Sequence, residues 1–247
     1  MTAAKPACAP PELLARRLAS FQPLKAADLL PLTRIGGEEQ SHAPGQELPI
    51  AGADVRLVTA GLVAEARLLS DGRRQIVALR LPGDVLRAPH CPSHLVAALS
   101  ASRTLEITPV IQDLEDASGT AAHTAWAQAM RLEQRTMLDH VVRLGRLSAY
   151  ERTAHLMLEL HERLMRVRLA SAQGFQLPIT QEILADMLGL SIVHVNRTLQ
   201  QLRREGLLTY RSGAVGLPDR ARLADIAGYR LAVQPPNSAE AVRRRAI

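Results

Sequence analysis

The residues best suited to recognition chemistry are Val193, Asn196 and Arg197, which fall within one predicted helix. An asparagine amide can form two hydrogen bonds with adenine, an arginine guanidinium can form two with guanine, and valine suits a thymine methyl group. At about 100° per residue the three lie on one helix face, opposite the apolar residues that would face a core. The pattern therefore predicts a helix that reads DNA bases. An ordinary amphipathic helix with a solvated polar face is the alternative.

Local capping signals predict how this helix is positioned. Thr180 suits the N-cap of a first short helix, Gly189 its left-handed C-cap, Ser191 the N-cap of a second helix, and Gly206 the stop after Glu205. Two short helices joined by a tight turn are typical of a helix-turn-helix, whose second helix lies in the DNA major groove. We expect the following residues to contact DNA: Thr180, Gln181, Ser191, Val193, His194, Asn196, Arg197, Gln200, Arg204 and Arg211.

The composition sets broad limits on the class of protein. The chain has 247 residues and a formal net charge of +6, which fits a polyanionic partner without identifying one. Its two cysteines, Cys8 and Cys91, can form neither a disulfide framework nor a four-cysteine zinc site. The N-terminus lacks the basic-then-apolar pattern of a signal peptide, and no apolar run approaches a membrane span. We therefore expect a cytoplasmic protein.

Turn signals and apolar periodicity predict an α+β organisation. Regularly spaced Gly and Pro residues between short β-compatible runs indicate a β-roll or jelly-roll barrel, with Asp71-Gly72 at a hairpin turn. A second hairpin signal, Ser212-Gly213, follows the helix-turn-helix and predicts the wing of a winged helix. The predicted boundaries are 1–30 for an N-terminal arm with short helices, 31–118 for the β-roll, 119–147 for a long helix, 148–232 for the winged helix-turn-helix and 233–247 for a disordered tail.

The long helix carries an apolar stripe whose members recur every three or four residues. This spacing is typical of a coiled-coil seam, in which a polar position can fix the register. We expect the stripe to join two copies of the chain, although it could instead pack on the chain's own barrel. The predicted dimerisation residues are Ala127, Met130, Gln134, Met137, Val141 and Leu144.

Three strings of this chain resemble the Crp/Fnr family of bacterial transcription regulators. They are DGRRQIVALRLPGDV (71–85), LGRLSAYERTAHLMLEL (144–160) and LPITQEILADMLGLSIVHVNRTLQQLRREGLL (177–208), within a resemblance that covers most of 30–230. The family implies a cyclic-nucleotide-binding-like β-roll, a dimerisation helix and a winged helix-turn-helix. It also implies a homodimer that places helix 191–205 of each copy in one half-site of a near-palindromic DNA operator. RNA polymerase is a further partner that the resemblance implies.

Departures from the family's motifs bear on the effector and on the operator. Cyclic-nucleotide-binding members hold the phosphate with an Arg-Ser pair, and the corresponding positions here are Pro92 and Ser93, which argues against cyclic AMP. Members with a 4Fe-4S cluster use four cysteines, so Cys8 and Cys91 argue against such a cluster. Where the familiar recognition helix has a glutamate, this chain has Val193, so the operator is expected to differ from the familiar ones.

Other functions remain open at this point. His90, Cys91 and His94 could ligate haem iron or respond to redox state, because thiolate and imidazole are both axial haem ligands. A cupin-like barrel enzyme would need closely spaced His/His/Glu ligands, and only His42 adds to His90 and His94 before residue 120. A protein-interaction module that has lost DNA binding is disfavoured by the intact recognition helix and wing. No GxSxG, Walker or HExxH motif occurs. We expect a DNA-binding regulator, not an enzyme, with its effector unassigned.

Overall fold

The computed structural model describes residues 9–88 and 93–231. The predicted tail (233–247) and the first eight residues of the predicted arm lie outside the described residues. The helices are α1 Pro10–Ala19, α2 Thr108–Asp116, α3 Ala121–Arg146, α4 Ala149–Arg166, α5 Gln181–Leu188, α6 Ile192–Arg204 and α7 Arg220–Ala227, with a 3-10 helix at Ala26–Arg34. The strands are β1 Gln40–His42, β2 Val55–Ala60, β3 Val63–Leu68, β4 Arg74–Arg80, β5 Val85–Arg87, β6 His94–Ala98, β7 Ser102–Glu106, β8 Ala170–Ser171, β9 Gly174–Gln176, β10 Thr209–Arg211 and β11 Ala214–Gly216.

The N-terminal half is a β-roll made of two antiparallel sheets. The strand orders are β1-β7-β2-β5 and β4-β3-β6. Apolar side chains from both sheets, including Val58, Val63, Leu86 and Val96, form one core cluster. The predicted hairpin between β3 and β4 is confirmed, and Gly72 has a φ of 84°, a backbone conformation that favours glycine in a tight turn. The β-roll class predicted from the spacing of turn signals is therefore confirmed.

Helix α2 is an element that the sequence patterns do not predict. It lies within the range assigned to the β-roll, and its β-branched residues Thr108, Val110 and Ile111 are also typical of strands. Pro109 stands in its first turn, where a missing N–H breaks no helical hydrogen bond. Its apolar face, with Leu114 fully buried, packs in a cluster with residues of α1 and α3. Burial therefore decided the conformation of a segment whose local propensity is ambiguous.

Side-chain caps fix where the long helix α3 and the following helix α4 begin. The Thr120 hydroxyl accepts a hydrogen bond from the His123 N–H at 3.1 Å and begins α3. Helix α3 has 26 residues, so it is about 39 Å long. Ser148 and Glu151 form a capping box at the start of α4, in which the Ser148 N–H donates to Glu151 Oε2 at 2.7 Å. That hydrogen bond lowers the pKa of Glu151, and the box fixes where the chain leaves α3.

The C-terminal part combines helices α4 to α7 with a four-stranded sheet of order β10-β11-β9-β8. Strands β8 and β9 lie between α4 and α5, within the range assigned to the winged helix-turn-helix, and the sequence patterns do not predict them. They have two and three residues, too few for a period-two pattern to show. Phe175 of β9 is nevertheless buried in the core. The wing is thus the outer edge of a sheet, not an isolated hairpin.

A single apolar core continues from the β-roll into the C-terminal part. It contains Ile76 and Leu79 of β4 together with Leu184 and Leu188 of α5. Arg74 of β4 also forms an ion pair with Asp186 of α5, with Nη2 and Oδ2 2.6 Å apart. The β-roll therefore supports the helix-turn-helix directly, and the domain boundaries stay predictions. No helix of the described ranges is long and apolar enough to cross a membrane.

Candidate nucleic-acid interface

Helices α5 and α6 form the predicted helix-turn-helix. Gly189 ends α5 with a φ of 62°, the left-handed conformation expected from its position after an apolar helix face. A Cβ at Gly189 would lie 3.2 Å from Cδ2 of Leu144, so the turn is also packed tightly against the end of α3. Helix α6 then begins after Ser191 and ends at Arg204. The turn geometry follows from the glycine, and the packing against α3 fixes the direction of α6.

The two faces of α6 are as different as its sequence predicts. Val195, Leu199 and Leu202 are fully buried in the core. Val193 is 60% exposed, and Arg197 is exposed beside it, while Asn196 is half-buried. Val193 is apolar but is not buried in the core, and its neighbours on this face are polar. Such a side chain is suited to contact an apolar group of a partner. The predicted recognition face is thus present on the surface of the described chain.

Two of the predicted DNA-contacting residues have structural roles. The hydroxyl of Thr180 accepts from the Ile183 N–H at 3.2 Å and caps α5. The hydroxyl of Ser191 accepts from the His194 N–H at 3.3 Å and caps α6, and it also lies 3.1 Å from His194 Nδ1. Each cap satisfies one of the unpaired N–H groups at a helix start. Both side chains are exposed, so capping leaves them on the surface where DNA would lie.

The wing is held in place by contacts that the sequence patterns do not predict. The Tyr210 hydroxyl donates to the carbonyl oxygen of Ile179 at 2.6 Å and lies 3.0 Å from that of Leu177, and so joins β10 to the segment before α5. Arg203 of α6 donates to the Tyr210 carbonyl oxygen. These pairs join residues 7 to 33 positions apart, so spacing alone gives no signal for them. They fix the wing relative to the recognition helix.

The exposed arginines of this region differ in their partners, because Arg203 is hydrogen-bonded to the wing and two others are not. Within the described ranges, Arg197 of α6 and Arg211 of the wing form no hydrogen bond or ion pair. The neighbouring carboxylate Glu205 accepts hydrogen bonds from Tyr150 and from Gln201, which lower its pKa. Burial and this contact raise the pKa of Tyr150 to about 12. The arrangement leaves unpaired cations and amides on a surface that fits the phosphates and base edges of DNA.

Comparison with known proteins decides the family. The model of the Crp-like helix-turn-helix domain matches residues 151–226. The chain is 32% identical over 212 residues to the nitrogen fixation regulation protein FixK of Bradyrhizobium diazoefficiens, a match that covers 83% of this chain and 87% of FixK. This chain belongs to the Crp/Fnr family of transcription regulators.

Two further relatives agree with this assignment. The transcriptional activator protein FnrL of Cereibacter sphaeroides is 28% identical over 187 residues, which cover 70% of this chain and 73% of FnrL. The structure of FixK2 from Bradyrhizobium japonicum superposes with a TM-score of 0.62 at 33% identity, over 79% of this chain and 98% of FixK2. The chain is therefore a DNA-binding transcription regulator of the Crp/Fnr type, like the relatives named here.

In this Crp/Fnr regulator the predicted dimerisation stripe is divided between two faces of α3. Ala127 and Met130 are half-buried, Met130 against the cluster shared with α1, and Leu144 is half-buried next to the helix-turn-helix turn. Gln134, Met137 and Val141 are exposed. Two apolar residues outside the predicted set are also exposed, namely Leu138 at 66% and Val142 at 54%. The free apolar surface of α3 therefore includes Met137 and Val141 of the predicted stripe and extends beside it to Leu138 and Val142.

The predicted sensor residues are only partly within the described ranges. His90 and Cys91 lie outside the described residues, as does Pro92, whereas His94 begins β6. His94 lines a cavity of about 260 Å³ in the β-roll, next to Arg80 and Glu133. The described residues contain no group of three His, Cys, Asp or Glu side chains that could hold a metal ion.

The two arginines that line the β-roll cavity already have carboxylate partners, and Arg87 pairs with Glu115 at 2.9 Å. Arg80 pairs with Glu65 at 2.7 Å and with Glu133 at 3.0 Å. Burial alone would raise the pKa of Glu133, but its ion pairs with Arg80 and Arg17 outweigh burial and lower it. His42, the remaining histidine of the cupin alternative, is buried and lies 2.9 Å from the Thr104 hydroxyl. Burial lowers the pKa of His42, and its contact with Thr104 gives it a structural role.

Proposed function

We propose that this regulator acts in the cytoplasm as a homodimer and binds a near-palindromic operator with one α6 in each half-site. The observation that carries the proposal is the outward face of α6, where Val193, Asn196 and Arg197 stand beside an anchored wing. A two-fold dimer would present two such faces to successive major grooves, about 34 Å apart. Each face is matched to the base chemistry expected from its side chains: a thymine methyl, an adenine and a guanine.

The exposed stripe of α3 supports the dimer. Gln134, Leu138, Val141 and Gly145 are separated by four, three and four residues and are all exposed. That spacing places them on one side of the helix, as in a coiled-coil seam with one polar position. Leu138 and Val141 are 66% and 61% exposed in the single chain, and pairing with a second α3 would bury both. Gly145 adds no side chain that would hold two helices apart.

Selection of operators from random DNA, with the full chain, tests the proposal. We expect a selected consensus with two inverted half-sites that contain a guanine whose replacement weakens binding. Arg197→Ala should lose this preference and keep most of its affinity for random DNA. Arg73→Ala removes an equal charge from the β3–β4 turn and should select the same consensus as the wild type. A single, asymmetric half-site, or an unchanged consensus for Arg197→Ala, would contradict the proposal.

We further propose that the DNA-bound dimer contacts RNA polymerase. FnrL is described as a transcriptional activator, and similarity to it supports an activating contact for this chain. In vitro transcription from a promoter with the selected operator tests this contact. We expect more transcript with the regulator than without it, and a complex of regulator, polymerase and promoter that is more stable than either binary complex. Unchanged or reduced transcript would contradict activation.

A further inference from the structure

A second cavity lies where three parts of the chain meet, away from α6. It is lined by β4, α3 and α4, and also by Arg17 of α1 and Met187 of α5. Its volume is about 70 Å³. A water molecule needs at least about 10–15 Å³ measured in this way, so the cavity has room for roughly five waters or for one small ion of similar size.

The lining of this interdomain cavity is richer in cations than in anions. Five arginines and three carboxylates line it: Arg17, Arg80, Arg143, Arg163 and Arg166 with Asp84, Glu133 and Glu159. Most of these groups pair with one another, and Glu65 outside the lining provides one further partner for Arg80. Even with Glu65 included, the arginines outnumber the carboxylates by one. The cavity therefore favours an anion over a cation.

Three buried side chains in the lining keep polar atoms without a partner among the described residues: Arg17, through its Nε, together with Arg143 and His140. Arg143 is 2% exposed; its Nη2 donates to Glu159 Oε2 at 2.5 Å, but its Nε and Nη1 donate to nothing. His140 is also buried, one turn earlier on α3, and its Nε2 has no partner. An unpaired buried donor destabilises a folded protein, and more so when the donor is charged. Arg143 and His140 therefore present unpaired polar atoms that an acceptor in this cavity would satisfy.

We propose that the interdomain cavity binds one small oxyanion of four or five heavy atoms, whose oxygens accept hydrogen bonds from Arg143 and His140. Carboxylate, nitrate and phosphate ions share this chemistry. Arginine presents N–H groups in a planar fork that suits two oxygens of such an ion. Because the lining comes from α1, β4, α3, α4 and α5, the bound ion would link the β-roll to the helix-turn-helix. This adds a ligand site to the DNA reading proposed above and does not depend on it.

The state of His140 is consistent with this role. Burial, and then the nearby Arg143, lower the pKa of His140 to about 4, so the imidazole is neutral at pH 7. A neutral imidazole can donate one N–H without adding a second buried charge next to Arg143. A bound oxyanion would favour the protonated imidazole and raise this pKa. The titration of His140 therefore gives a readout of the ion at the site itself.

Thermal unfolding and calorimetric titration of the full chain test the site without DNA. The protein is dialysed into chloride and titrated separately with acetate, nitrate and inorganic phosphate at constant ionic strength. We expect at least one ion to bind with saturation and to raise the Tm, since a ligand that binds only the folded state stabilises it. Thr136 lines the cavity, and Thr136→Leu should fill it and abolish the response. The control is Thr124→Leu, an exposed threonine of α3 with the same hydrogen bond to the preceding helical turn, which should respond as the wild type does.

The outcomes separate a built site from general salt effects. The site is supported if an ion raises the Tm of the wild type and of Thr124→Leu but not that of Thr136→Leu. The same ion should also raise the pKa of His140 in the wild type, as measured by NMR. Equal responses in the wild type and in Thr136→Leu would place the ion elsewhere and overturn the proposal. No response to any of the three ions would mean that the cavity holds only water. If Thr136→Leu does not fold, His140→Phe, which removes one of the two proposed donors to the ion, replaces it in the comparison.

Discussion

Arginines serve opposite purposes in two regions of this molecule. Around the interdomain cavity, Arg17, Arg143 and Arg163 are buried or nearly so and pair with carboxylates from other elements. On α6 and the wing, Arg197 and Arg211 are exposed and have no partner among the described residues. A charge that is already paired inside the protein supports structure, whereas an unpaired charge on the surface is free for a polyanion. The difference separates the residues that position the DNA-reading helix from those that touch DNA.

The contrast between buried and exposed arginines predicts its largest effect for a change in the buried network, measured as protein stability. Asp84 is 4% exposed, pairs with Arg17 and Arg163, and accepts from the Leu81 N–H at 2.8 Å. Asp84→Ala removes the carboxylate shared by Arg17 and Arg163, which keep only Glu133 and Glu159 as ion-pair partners. The uncompensated positive charge left in this buried network should lower the free energy of unfolding by about 3–5 kcal/mol. Urea denaturation at a fixed protein concentration measures this loss.

The matched control for Asp84→Ala is an exposed carboxylate. Asp113 pairs with Arg34 on the surface, at 2.6 Å. Asp113→Ala should cost less than about 1 kcal/mol, because exposed ion pairs contribute little. Losses of equal size in the two variants would mean that the buried network contributes no more than a surface pair. The distinction between the two groups of arginines would then fail.

A smaller effect is expected on DNA binding, and it should divide the exposed arginines by role. Arg197→Ala should weaken operator binding by about 1–3 kcal/mol, because it removes a base contact, and leave random DNA less affected. Arg211→Ala should weaken both kinds of DNA alike and reduce the slope of log affinity against log salt by about one. Filter or fluorescence binding at several salt concentrations measures both. If Arg211→Ala lost the preference for the operator while Arg197→Ala weakened binding to both kinds of DNA alike, the roles assigned to the two arginines would be wrong.

The smallest predicted effect concerns pH and the buried side of α3. The pKa of His140 is lowered to about 4 in the folded chain, below its ordinary value near 6.5. Between these values the unfolded chain binds more protons, so stability falls as the pH falls, by at most about 1.4 kcal/mol per pH unit for this group. His140→Gln should reduce the decline between pH 6.5 and 5, in a buffer free of small oxyanions. Urea denaturation across this range tests it, and an identical decline in the variant would contradict the buried, neutral His140.

Local signals explain why the helix-turn-helix could be predicted from the sequence. Thr180, Gly189 and Ser191 act within three residues of their own positions, as caps and as a left-handed turn. The buried face of α6 likewise follows from helical periodicity. Elements that are fixed by neighbouring residues can be predicted without knowing the rest of the fold.

Contacts between distant residues could not be predicted in this way. Arg17 pairs with Glu133 across 116 positions, and nothing near either residue indicates the other. The division of the α3 stripe is a further example. Leu144 and Leu138 are equally apolar, but Leu144 lies next to Gly189 of the turn, whereas Leu138 is 66% exposed, and only the fold distinguishes them. The interdomain cavity also appears only when the fold brings α1, β4 and α5 together with α3 and α4.

Hydroxyl-radical footprinting of the full chain on its selected operator tests the central claim most directly. If two copies each place α6 in a major groove, two protected regions should lie on one face of the DNA, about 10 base pairs apart from centre to centre. Leu138→Glu, which puts a charge in the exposed α3 stripe, should remove the paired protection at concentrations where the wild type gives it. A single protected region in the wild type, or paired protection that persists with a monomeric variant, would contradict the account.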